Sequence, residues 1–294
     1  MKPAGFEYHD PTTLSEATAL LGRLGEDARV LAGGQSLVPL MNFRLARPAH
    51  LVDLNGVTEL DFLSVEGGEL RIGAMTRQRA LERSEMAATG WPLLREAAGF
   101  IGHVQIRNRG TVGGSLAHAF PSAELPVAMV TLDAGLVLRG DGGQRTVAAE
   151  DFFLGTMTTT LEPGELLHEV RVPAAAAGSG ASFQEVSRRY GDFALAGAAA
   201  LVNLDRNGAV AGARLTLTGS VPIRARDAET AVMGEKPSEA LFREAARRAV
   251  AGIEQDSDMH ASAEYRRRAC QALARRALAE AAQRAAAAIE AGSS

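Results

Sequence analysis

The chain has 294 residues, enough for one large domain or two to three small ones, and its 46% hydrophobic and 22% charged content is ordinary for a globular fold. A formal net charge of −4 gives no reason to expect a nucleic-acid partner. The single cysteine, Cys270, excludes an internal disulfide, a Cys-ligated iron–sulfur cluster and a Cys-rich zinc site. Cys270 itself reads as a small buried residue on a helix. The start, MKPAGFEYHDPTTLSEA, lacks an apolar segment of signal-peptide length. No stretch approaches the ~20 apolar residues of a transmembrane helix. The expectation is a cytoplasmic protein without a transmembrane segment.

In chain order, PTTLSEATALLGRLG predicts a helix capped by Thr13, with Glu16 three residues on and a stop at Gly22 or Gly25. ARVLAGG predicts a short buried strand that ends in a glycine pair, and HLVDLNGV a second strand. Residues 1–56 therefore read as a small α/β unit. From Glu69 the pattern changes. ELRIGAM alternates as a strand, TRQRALERS starts a helix at Thr76, and WPLLREAAGFIG is a helix with Pro92 in its first turn. AELPVAMVTLDA reads as a further helix. GLVLRGDGGQRTVAAEDFF is a hairpin around Asp141-Gly142-Gly143, and ELLHEVRVP is a strand closed by Pro173. Residues 57–173 thus form a unit with helices and an antiparallel sheet.

AAAAGSGA, residues 174–181, is a small-residue linker. Residues 181–290 then read as a third unit. It has three strands, SFQEVSRR, AGAAALVNLD and GAVAGARLTLTGS, with Asn207-Gly208 as a hairpin turn, and is helical from about Arg224. The arginine-rich tail reads as a solvated helix face with i,i+4 Glu/Arg support.

The common chemical fingerprints are absent. There is no G-x-x-x-x-G-K-S/T, no G-x-G-x-x-G and no G-x-S-x-G, and HEVRV at 168–172 lacks the second histidine of a zincin. No catalytic side chain and no set of metal ligands emerges. Two glycine segments remain. Ala32-Gly33-Gly34-Gln35-Ser36 and Thr111-Val112-Gly113-Gly114-Ser115 each combine glycines with small polar residues. Glycine admits positive φ and close approach, and successive amides in such a segment can hold an anion. Either segment alone is also compatible with a simple turn. Together they could grip a diphosphate from two sides, each offering backbone donors and a hydroxyl.

The segments KPAGFEYHDPTTLSEATALL, ARVLAGGQSLVPLMNFRLARPAHLVDLN, IGHVQIRNRGTVGGSLAHAFPSAELP and GDFALAG occur in that order, followed by HASAEYRRR in the tail. This arrangement resembles the FAD-binding medium subunit of the molybdenum hydroxylases, the family of xanthine dehydrogenase and carbon monoxide dehydrogenase. The resemblance covers nearly the whole chain. It implies an α+β fold: a two-lobed FAD-binding domain of the p-cresol methylhydroxylase type, then a C-terminal domain of a three-stranded antiparallel sheet with helices.

The resemblance also implies roles. Ala32–Ser36 and Thr111–Ser115 match the two diphosphate segments. Glu124 takes the acidic position that contacts FAD hydroxyls. Ile101 and Phe193 fall beside the isoalloxazine ring, and Leu167 and Gln184 match further flavin-contact positions. Gln35 stands where many relatives have histidine and cannot form a histidyl–flavin bond, so the FAD is expected to be non-covalent. Structural alternatives stand beside these roles: core packing for Ile101 and Phe193, a favourable first-turn carboxylate for Glu124, ordinary salt bridges for Arg107 and Arg109. His103 and His118 read as structural histidines.

The implied function is electron transfer. The resemblance places a molybdenum cofactor on a large partner subunit and two 2Fe-2S clusters on a small one, in a dimer of heterotrimers. Electrons would pass from an iron–sulfur cluster through FAD to an external acceptor such as NAD, oxygen or a quinone. The Cys-bearing insertion of the hydroxybenzoyl-CoA-reducing branch, which holds a 4Fe-4S cluster, is missing here. The alternative is a self-contained flavoenzyme resembling UDP-N-acetylenolpyruvoylglucosamine reductase.

Overall fold

The computed structural model of the protein describes residues 2–292. The first group of elements is β1 (Glu7–His9), α1 (Leu14–Leu24), β2 (Ala28–Leu31), α2 (Leu37–Asn42) and β3 (His50–Asp53). Thr13 and Glu16 form the expected capping box, and Leu14, Ala17, Thr18 and Leu21 make the buried face of α1. The three strands are parallel in the order β1-β3-β2, and α1 and α2 supply the crossovers that parallel strands need.

The second group begins with β4 (Leu63–Glu66), β5 (Glu69–Gly73), α3 (Gln78–Arg83), α4 (Glu85–Gly90) and α5 (Pro92–Phe100). It continues with α6 (Val104–Arg109), α7 (Val112–His118), α8 (Glu124–Thr131), β6 (Gly135–Gly140) and β7 (Gly143–Ala148). It closes with α9 (Ala149–Phe152), β8 (Phe153–Gly155), β9 (Thr158–Thr159) and β10 (Leu166–Pro173). Five strands form an antiparallel sheet in the order β4-β5-β10-β6-β7. The shortness of α6 and the two glycines of α7 hide both helices from pattern reading, since glycine disfavours helix interiors.

The third group is β11 (Ser179–Ser187), β12 (Ala194–Leu204), β13 (Val210–Leu217), β14 (Ile223–Arg224), α10 (Arg226–Val232), α11 (Glu239–Ala249) and α12 (Ala263–Gly292). Its antiparallel sheet has four strands rather than the expected three. The extra strand, β14, is two residues that pair with Thr216 and Leu217, too few to carry a period-two pattern. Strand β12 is buried on both faces. Ala199 and Leu201 join the core of the second group, while Ala196, Ala198, Ala200 and Val202 face the helices of the third. Alanines keep this layer thin. Helix α12 comes closest at Gly180, where a Cβ would lie 2.2 Å from the Ala281 carbonyl oxygen. Cys270 is buried on α12, as its sequence setting suggests.

Candidate cofactor-binding site

The two glycine segments meet in space. A Cβ on Gly33 would lie 2.3 Å from the Arg109 carbonyl oxygen and 2.8 Å from Gly110 Cα. The backbone of one segment therefore rests on the backbone of the other, and only glycine fits the seam. A Cβ on Gly114 would stand 3.4 Å from Ala32 Cβ on the same seam. Gly34, with φ +74°, turns the first segment away from β2.

A polar brace lies against both segments. Arg77 donates to the Arg109 carbonyl at 2.5 Å and to Asn55 Oδ1 at 2.7 Å, and Asn55 Nδ2 donates to the Ala32 carbonyl at 3.0 Å. Neither Asn55 nor Arg77 is found by sequence reasoning, because nothing local marks two polar residues that act through tertiary contacts.

The donors differ sharply between the segments. In the second, Val112 N bonds Thr76 O at 2.9 Å, Gly113 N bonds Ala74 O at 2.8 Å and Ser115 N bonds Thr111 O at 3.2 Å. Gly114 N bonds Thr111 Oγ1 at 3.0 Å. These residues are the cap and first turn of α7, not an open loop. In the first segment, among the described residues, the amides of Gly33, Gly34, Gln35 and Ser36 donate to no protein acceptor. The expectation of equal backbone donor sets is thereby corrected: in the second segment the four amides from Val112 to Ser115 are already bonded within the protein. The Gln35 side chain folds back, its Nε2 donating to Gly33 O at 3.1 Å.

Other expected residues are placed as follows. Ile101 is buried at the end of α5, and its carbonyl accepts from Arg107 Nη1 at 2.8 Å. Arg107 is itself buried, bonded to both Glu82 carboxylate oxygens at 2.8 and 3.1 Å, so it braces the turn rather than facing solvent. Arg109 contributes its carbonyl. Phe193 is 70% exposed and lays its ring 4.5 Å from Phe120, which stacks on His118 at 6.1 Å. The two rings together present an exposed aromatic face. Burial holds the His118 imidazole below its usual range.

Glu124 is buried at the first position of α8, and burial pushes its carboxyl up to about 7. Leu167 lies within the core, on β10. Gln184 is bonded through Nε2 to Glu280 of α12 at 2.6 Å and to Ser182 Oγ at 3.1 Å. Its neighbour Glu185 takes the opposite face of β11 and interacts with Glu124. Glu185 Oε2 is buried without a hydrogen-bond partner, and burial, then the Glu124 charge, pushes this carboxyl up to about 9. The His103 ring sits under Gly191, where a Cβ would approach to 2.3 Å, so the 188–193 turn of the third group rests on the second.

The arrangement is that of a cofactor-binding protein: a seam of glycine backbone with unspent amides, an exposed aromatic face and a buried carboxylate pair. Residues 4–175 match the family described as FAD binding domain in molybdopterin dehydrogenase, and residues 181–281 match CO dehydrogenase flavoprotein C-terminal domain. The chain is 42% identical over 97% of its length to the alpha subunit of the 6-hydroxypseudooxynicotine dehydrogenase complex of Paenarthrobacter nicotinovorans, covering 97% of that protein. It is 41% identical to the carbon monoxide dehydrogenase medium chain of Hydrogenophaga pseudoflava, over 95% of this chain and 97% of that one. A solved carbon monoxide dehydrogenase structure from the same organism superposes with a TM-score of 0.94 over 97% of this chain and 99% of that chain. This chain belongs to the family of FAD-binding medium subunits of the molybdenum hydroxylases. Matches of this length decide against the self-contained UDP-N-acetylenolpyruvoylglucosamine reductase reading.

Proposed function

We propose that the chain is the electron-transfer subunit of a molybdenum hydroxylase complex and holds FAD non-covalently across the glycine seam. The observation that carries the reading is the set of four unspent amides on Gly33–Ser36, beside a seam where no Cβ fits. Those amides point to an anionic group such as a diphosphate. When bound, FAD accepts electrons one at a time and releases them singly or in pairs.

The chain's own residues bind and orient. Arg77 and Asn55 fix the spacing of the two segments. From the second segment, Thr111 and Ser115 would offer their hydroxyls to the bound group. Ile101 and Phe193 supply apolar surface for a planar ring, with Phe193 supported by Phe120. Glu124, held partly protonated near neutrality by burial, can donate to or accept from a ribityl or ribose hydroxyl. Leu167 supports the site from the core. Gln184, at a flavin-contact position by resemblance, is held by its hydrogen bond to Glu280 of α12.

The relatives are chains of multi-subunit dehydrogenases. By analogy, the partners are a large molybdenum-cofactor subunit and a small 2Fe-2S subunit, in a dimer of heterotrimers in the cytoplasm. Among the described residues no helix is long and apolar enough to cross a membrane. The test is optical. The purified chain is expected to carry stoichiometric FAD that acid or heat releases, and to assemble with the two partner chains into a particle that bleaches when substrate is added. A colourless chain that takes up no FAD on titration would overturn the reading.

A further inference from the structure

We propose that Glu7, His9 and His50 form a binding site for a divalent transition cation of the zinc type, on the outer edge of the first sheet. His9 Nε2 lies 3.2 Å from His50 Nδ1, and His50 Nδ1 lies 3.3 Å from Glu7 Oε2. All three donor atoms fall within 4.8 Å of one another. A tetrahedral zinc ion with bonds of ~2.0–2.1 Å holds its donors about 3.4 Å apart. Both measured separations match that edge.

The backbone explains the convergence. Glu7 stands directly opposite His50 in the parallel β1·β3 ladder, and His9 follows two residues later on the same face of β1. The sequence conceals the set, because His9 and His50 are 41 residues apart. The three donor atoms are close enough together to share one cation. A proton on His50 Nδ1 can be aligned well with one neighbour only, whereas a cation satisfies all three. The Glu7 side chain is 74% exposed, so the site is open to an entering ion and to a water as fourth ligand. Two imidazoles and one carboxylate favour Zn²⁺, Co²⁺ or Ni²⁺ over Mg²⁺ and Ca²⁺. On the opposite face, Tyr8 Oη already donates to Asp53 Oδ2 at 2.6 Å. A bound ion would complete the clamp that holds the three-residue strand β1 to β3.

The experiment uses the full chain with its FAD, stripped by chelator and then titrated with Co²⁺, whose four-coordinate complexes absorb to the red of oxidised flavin. The expected result is saturation at one Co²⁺ per chain, displacement by Zn²⁺ and indifference to excess Mg²⁺. His9→Ala and His50→Ala are each expected to weaken binding by at least about tenfold, the lower end of what losing even an outer-shell partner costs. Zn²⁺ should raise the melting midpoint of the wild type and not of these variants. FAD content and melting curves report folding; if His50→Ala misfolds, the more exposed Glu7→Gln together with His9→Ala decides. No saturable uptake by the wild type, or uptake unchanged in folded His9→Ala and Glu7→Gln, overturns the site.

Discussion

The segments 32–36 and 111–115 look alike as strings and behave differently as structure. Both place two glycines among small polar residues. In the second, four successive amides are consumed by Thr76, Ala74 and Thr111, and its glycines let α7 lie against Ala74, to which a Cβ on Gly113 would come within 2.5 Å. In the first, four successive amides have no protein acceptor among the described residues. One segment is a wall and the other is the grip. Composition sets what a segment is able to donate; the neighbours decide what it has left.

The largest test of that difference is Gly33→Ala, whose Cβ cannot coexist with the Arg109 carbonyl at 2.3 Å. The segments must part, and bound FAD is expected to fall close to zero in the purified protein. Overpacking of this kind costs about 1–3 kcal/mol, and backbone neighbours cannot swing away. Gly113→Ala should strike the fold first, lowering the melting midpoint while protein kept cold retains its flavin. If Gly113→Ala strips FAD with an unchanged melting curve, the roles of the two segments are reversed.

Glu185 extends the contrast to a side chain, since its Oε2 also lacks a partner. The folded-state values of Glu124 and Glu185, about 7 and about 9, lie above those of an unfolded glutamate, near ~4.3. The unfolded chain therefore ionises first as pH rises. The stabilisation is complete below the unfolded value and lost as pH climbs through about 7 and then about 9. The melting midpoint of the flavin-free protein should drop between mildly acid and alkaline pH, and Glu185→Gln should flatten the upper part. A midpoint that stays level or climbs would contradict this assignment.

Arg77→Ala removes two hydrogen bonds from the brace that spaces the segments. It is expected to weaken FAD binding about tenfold, or ~1.4 kcal/mol, in a fluorescence titration of flavin-free protein. The smallest effect is expected for Thr111→Val, which deletes the N-cap of α7. It should cost about 1 kcal/mol, read as a drop of about 2–4 °C in the melting midpoint, with FAD binding weakened less than in Arg77→Ala.

Features made by neighbours in sequence were legible before the fold was known. The Thr13–Glu16 box, Pro92 opening α5 and the Asn207-Gly208 turn each rest on chemistry within four residues. Pairing the two glycine segments was also legible, through motif resemblance. What escaped depends on distance or parity. Asn55 and Arg77 act across more than twenty residues. The Glu124–Glu185 pair turns on which face of β11 points inward, and β12, its alanine-rich partner, buries both faces and so carries no alternation to reveal it. The first turn of α7 is hidden in the sequence because its glycines mask a helix that the threonine cap restores.

The doubly buried strand β12 has a consequence for the chain as a physical object. Its outer neighbours belong to different parts of the protein, and ion pairs cross the same boundary. Asp133 meets Arg214 and Arg224 at 2.6 Å each, Arg226 meets Glu150, and Arg284 of α12 reaches Glu96 of α5. The linker around 174–178 is thus a covalent formality. A protease nick there would yield two bands on a denaturing gel and one undivided, still yellow particle in solution.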